Sequence, residues 1–154
     1  MKISIIAVGR LGRAVEPALA VSYAERATAS GRSLGLGPVD VVEVEARKPG
    51  KAAEAEVLLA QIGDAHLIAC DEHGQAMASR DFAARIAALR DQGVRRLVFV
   101  IGGADGLDAS VLAAAREKLA FGPQTWPHAL ARTMLAEQVY RAVTILAGSP
   151  YHRD

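Results

Sequence analysis

The stretch RLVFVIGGADGLDAS, residues 96–110, constrains the fold more than any other part of the chain. Leu97 to Ile101 is an unbroken apolar run, so a strand built from it has no face to offer water. Such a strand belongs inside a parallel sheet covered by helices on both sides. Parallel neighbours in turn require long crossovers, usually helical. The run ends in GGADG, whose glycines let the backbone approach a ligand closely. Asp108 then stands where it can cap a helix over 109–118. The loop lacks the Lys-Ser/Thr of a phosphate-cradling P-loop and the G-x-G-x-x-G of a dinucleotide fold. A ligand held here is of another kind.

The remainder of the chain supplies the partners such a strand needs. Lys2–Val8 is a β-branched run that stops at Gly9, and residues 16–30 have helical spacing, with Pro17 in the first turn. Residues 30–38 read as a mobile glycine-rich loop, and 39–45 alternate by twos like a half-exposed strand. Lys51–Ile62 is an alanine-rich helix ended by Gly63. Residues 66–70 form a third strand, followed by DEHG, read as a polar turn. Ser79 is placed to cap a helix over 80–92, with Phe82, Ile86 and Leu89 inward and Gly93 as its stop. The run at 96–101 is then the fourth and central strand. A weak fifth strand falls within 119–126, broken by Gly122-Pro123, before a long helix over 130–147. This alternation predicts an α/β fold with a mostly parallel sheet of about five strands, in one domain over 1–154.

Composition narrows the class. A chain of 154 residues can bury a core without metal or disulfide staples. The single cysteine, Cys70, excludes an internal disulfide and suits a reducing cytoplasm. No apolar run is long enough to span a bilayer, and residues 1–10 read as a first strand, not a signal peptide. The net charge of +1 lacks the strongly basic signature of a nucleic-acid binder, although two copies could assemble a local patch.

In an open α/β sheet ligands sit beyond the carboxyl ends of the strands, so Cys70, Asp71 and the GGADG loop could line one crevice. Cys70 and His73 have the C-x-x-H spacing of a metal pair. Two ligands do not close a zinc site, and no second cysteine is present, so no metal is expected. Farther on, His128 follows Pro127 at a helix start, Arg132 lies four residues on, and the chain closes on Tyr151-His152-Arg153. These polar residues have two readings: a solvated helix face with a fraying terminus, or a docked, working tail. The helix's apolar set, including Leu130, Met134 and Leu135, serves core or dimer interface.

VFVIGGADGL, TWPHALART, LAEQVYRA and SPYHR occur in this order, preceded by DEHGQAMASRDFA, which is similar to a D-E-x-G-x-x-x-S-S-x-x-F-A segment. Together they resemble the ribosomal RNA large subunit methyltransferase H family, of the SPOUT class of knotted methyltransferases. The resemblance is specific from Asp71 onward and rests on element order before it. It implies S-adenosyl-L-methionine as cofactor, a C-terminal trefoil knot, a homodimer, and methylation of N3 of a pseudouridine in 23S ribosomal RNA on assembled ribosomes. By the same resemblance Gly103 matches a cofactor-binding glycine and Cys70 a second contact. Gly122, Pro123, Gln124, Thr125, Trp126 and Pro127 match a third segment. Three positions depart from the pattern: Ala104 stands for proline, Asp105 for glutamate, and Pro123 removes a backbone donor.

His128 and His152 are the candidate bases for the N3 proton, since histidine titrates near neutrality. Backbone donors stabilising the imide anion are the alternative. Arg132, Arg141 and Arg153 are candidates for RNA phosphates, and Tyr151 for stacking on a base. For Arg132 and Arg141 the competing reading is a surface salt bridge with Glu137. Two other functions compete with the enzyme. One is a ribosome-binding dimer silenced by Pro123. The other is a different nucleotide-binding α/β protein, against which the missing G-x-G-x-x-G unit and its acidic partner argue.

Overall fold

The computed structural model describes residues 1–10, 12 and 15–152. Five strands and five helices alternate: β1 Lys2–Val8, α1 Val15–Gly31, β2 Val39–Val44, α2 Lys51–Ile62, β3 His66–Ala76, α3 Ser79–Asp91, β4 Arg96–Ile101, α4 Ala109–Ala114, β5 Glu117–Ala120 and α5 His128–Leu146. The sheet order is β2-β1-β4-β3-β5 and every pairing is parallel. The apolar run is therefore central, as its composition demands, and Leu97 to Val100 are wholly buried. Alternate residues serve opposite faces. Ile3, Ile5, Leu97 and Phe99 pack with residues of α1, α3 and α5, whereas Ile6, Val98 and Val100 pack with α2 and α4.

Several local expectations give way to tertiary contacts. DEHG is not a turn that ends β3. Cys70 and Gln75 both register on Leu119, so the residues between them bulge out of an extended strand that then rejoins the same partner. Gly74 makes this possible, because a Cβ there would lie 2.7 Å from the Leu119 backbone. Ser79 is the first residue of α3 and not its cap; its hydroxyl donates to Gln138 Oε1 at 2.8 Å and ties α3 to α5. Asp108 does cap α4, accepting from Ser110 N, but the helix ends at Ala114 instead of 118. The chain is drawn into β5 there because Glu117 and Lys118 pair with β3. Residues 30–38 are firmly held, not loose. A 3-10 turn at Arg32–Leu34 is followed by Leu36, which is buried, and Gly37 N donates to Met1 O at 2.8 Å.

β5 has only four residues and sits at the sheet edge, so side chains must hold it. Arg85 on α3 grips Glu117 with two 2.8 Å hydrogen bonds, from Nε to Oε2 and from Nη2 to Oε1. His66 Nε2 lies 2.6 Å from Oε1 of the same carboxylate. The Arg85 hydrogen bonds hold the Glu117 carboxyl below its ordinary value of 4.5, partly opposed by burial and aided by His66. A lowered folded-state pKa contributes stability above the unfolded value, and that stability is lost as pH falls through the folded one. Glu117→Gln is expected to cost about 1 kcal/mol at neutral pH. In urea titrations the gap from the native protein should close in acid, below the ordinary carboxylate range.

Candidate functional site

Because all strands run the same way, their carboxyl ends open on one edge of the sheet. There the bulge of β3 that starts at Cys70, the loop after β4 and the segment between β5 and α5 enclose a cavity of about 590 Å³. That volume is within the usual range of small-molecule sites. Cys70, Asp71 and Glu72 form one wall, residues 101–107 a second, and Leu119, Phe121 and the segment up to Ala131 the third.

Each wall has a local cause. The GGADG loop folds back on itself: Gly106 N donates to Gly103 O at 3.1 Å. A Cβ on Gly102 would lie 2.6 Å from the Gly106 carbonyl carbon, so only glycine fits. Gly106 itself has φ of 78°, in the left-handed region. In the third wall Trp126 Nε1 donates to Phe121 O at 3.2 Å, closing residues 121–126 into a loop.

The lining is acidic. Asp71, Glu72 and Asp105 contribute carboxylates, His128 is the remaining acid–base side chain apart from Cys70, and no lysine or arginine is among the described lining residues. Such a wall repels phosphates and suits a ligand that carries positive charge. Burial, reinforced by Asp71, pushes the Cys70 thiol up to about 12, so this half-buried side chain is not suited to act as a nucleophile. Among the described residues no group of three or more His, Cys, Asp or Glu could hold a metal ion.

The three segments singled out for a cofactor meet here. Cys70, Gly103, Gly122, Gln124, Thr125, Trp126 and Pro127 all line the cavity, and so does His128, the first residue of α5. Pro123 is not on the wall. His152 lies in the tail, half-buried and away from this cavity, with its Nδ1 buried and without a partner among the described residues.

The RNA candidates are placed otherwise. Arg132 is 0% exposed, so it cannot meet RNA; nor does it pair with Glu137. It reaches Glu43 Oε1 at 2.5 Å, a residue 89 positions away, which no spacing rule could reveal. Arg141 does pair with Glu137, Nε to Oε1 at 2.9 Å. Tyr151 donates to the same Oε1 at 3.1 Å and its ring packs 4.6 Å from that of Tyr140, with the Arg26 and Arg141 guanidinium groups against it. The ring is thus engaged within its own chain instead of standing free for a base. Arg153 lies outside the described residues. The carboxylate of Glu72 and the apolar floor of Leu107, Leu119 and Phe121 were not singled out from the sequence as parts of the site.

Ellman's reagent should report the state of Cys70. At mildly alkaline pH the native thiol is expected to react more slowly than the unfolded one by roughly tenfold or more, because its raised pKa leaves far less thiolate.

Comparison with known proteins agrees with this geometry. The family model described as "Predicted SPOUT methyltransferase" matches residues 1–152. A protein of Caulobacter sp. (strain K31) named Ribosomal RNA large subunit methyltransferase H is 72% identical over 154 residues, covering 100% of both chains. Its namesake from Phenylobacterium zucineum (strain HLK1) is 73% identical over the same length and coverage. Among solved structures, a probable methylase family protein from Haemophilus influenzae Rd KW20 has a TM-score of 0.55 at 15% identity, covering 99% of this chain and 70% of that one. A putative methylase family protein from Neisseria gonorrhoeae has a TM-score of 0.54 at 15% identity, covering 99% and 86%. At that identity the likeness is one of fold.

Proposed function

The chain belongs to the SPOUT methyltransferase family, and from that premise we propose that it methylates N3 of a pseudouridine in 23S ribosomal RNA, using S-adenosyl-L-methionine, on assembled ribosomes in the cytoplasm. The observation that carries this reading is the convergence of three separate segments on one acidic, glycine-lined cavity. The residues present fit the cofactor. Gly102 and Gly103 line the wall, and the carboxylates of Asp71, Glu72 and Asp105 complement a cationic nucleoside. A dinucleotide or nucleoside triphosphate would meet the same carboxylates with no arginine or lysine among the described lining residues to offset them, which disfavours an oxidoreductase. Pro123 is not among the lining residues, although its neighbours Gly122 and Gln124 are.

When bound, the cofactor supplies an activated methyl group on a sulfonium. The chain's task is to hold N3 in line with that methyl and to accept the proton N3 loses. His128 is on the cavity wall and is the residue we assign to the proton that N3 gives up in exchange for the methyl group the cofactor would supply. Backbone N–H groups of the glycine loop stabilise the imide oxygen charge. The trefoil knot and the homodimer come with the same reading. For the dimer face, Val15, Leu19 and Leu130 are large, exposed apolar residues on α1 and α5. His152 then acts from a partner's tail. Exposed Arg10, Arg47, Lys48 and Lys51 stand near the carboxyl-edge loops and give RNA phosphates cations that Arg132 does not.

Methyl-labelled cofactor with undermethylated ribosomes should place label on one large-subunit pseudouridine, mapped by digesting the RNA. Fluorescence of Trp126, the chain's sole tryptophan, should change on titration with the cofactor alone. Label elsewhere refutes the substrate; no label and no fluorescence response refute the enzyme. His128→Asn is expected to lower the transfer rate roughly 100-fold or more.

A further inference from the structure

Arg132 is the largest fully buried side chain of the described residues, and burying a guanidinium is costly unless every donor is used well. Its Nη1 donates to Glu43 Oε1 at 2.5 Å, and its Nη2 donates to the Gly9 carbonyl at 3.1 Å and the Val8 carbonyl at 3.3 Å. Only Nε lacks a partner among the described residues. One side chain of α5 thus grips the carboxyl ends of two strands, β1 and β2. A buried ion pair generally adds little stability over well-packed apolar residues; where it has a use, that use is to fix register. Neighbouring inward residues of α5, Leu135, Ala136 and Val139, are apolar and impose no such fixed geometry. A guanidinium fork with three acceptors does.

What this grip fixes is the first turn of α5. His128 lies one turn before Arg132 and Ala131 immediately before it, and both line the cavity. The wall segment from Gly122 to Pro127 enters the helix at the same point. Thr133 adds a hydroxyl bond to Glu16 O at 3.1 Å but reaches no strand.

Resting on the methyltransferase reading, we propose that Arg132 is a positioning residue: through Glu43 and the β1 carbonyls it sets the place of His128 and of the third cavity wall. It touches neither cofactor nor RNA. Its loss should therefore impair cofactor binding and turnover while leaving KM for ribosomes unchanged, whereas an RNA contact would raise that KM.

The test compares the native protein with Glu43→Gln, Arg132→Lys and the double variant Arg132→Met/Glu43→Gln, which removes both charges of the pair together. Hydrogen exchange is read at amides 131–135, with β4 amides as internal reference. In the double variant, exchange at 131–135 should rise roughly tenfold or more while β4 stays protected. Affinity for S-adenosylhomocysteine should weaken, and turnover should fall roughly 100-fold. Glu43→Gln, which keeps the three acceptors, should stay near native, and Arg132→Lys should fall between. Should the double variant unfold, the lysine variant carries the same comparison. Native exchange and affinity in the double variant and in Arg132→Lys overturn the proposal, as does exchange that rises equally in β4, which marks a merely structural residue. If the native protein neither binds cofactor nor methylates, the functional reading falls, and the exchange comparison still decides whether Arg132 holds the helix in place.

Discussion

Everything in this molecule depends on β4 being paired in parallel on both sides. Its apolar run can be buried only between β1 and β3, with helices above and below. Parallel pairing then sends the carboxyl end of every strand to the same edge. The GGADG loop leaves the middle of that edge beside Cys70, and the exit from β5 lies just beyond. The cavity is a consequence of that topology more than of any one motif.

The weakest part of the frame is also the part that builds the third wall. β5 is short, lies at the edge and joins β3 on both sides of a bulge. It holds its place through the Glu117 carboxylate shared by Arg85 and His66, and through Gly74, which lets two backbones approach within side-chain-free distance. Stability at the amino end of the strand thus supports ligand-site geometry at the other.

The electrostatics of the carboxyl edge divide by depth. Carboxylates face the cavity, while Arg132 is sunk beneath the first turn of α5 and neutralised by Glu43. Arg141 is likewise held by Glu137, together with Tyr151. Two of the arginines that look free for RNA in the sequence, Arg132 and Arg141, are therefore committed to the fold or to the tail.

What the sequence alone determined is whatever acts over a turn or two of chain. Apolar periodicity located the first four strands and the five helices, the unbroken run at 97–101 put β4 in the centre, and Asp108 marked the start of α4. The fifth strand, expected within 119–126, lies at Glu117–Ala120. Family-specific patterns named three loops, and those loops do face one another. Tertiary structure decided the rest: that β3 runs on through DEHG, that α4 stops at Ala114, that Ser79 bonds Gln138, and that Arg132 belongs to Glu43. The reason is physical. Propensities and caps depend on immediate neighbours, whereas the partner of a charge or a strand edge depends on which distant segments the topology brings alongside, and a hydrogen bond is indifferent to separation along the chain.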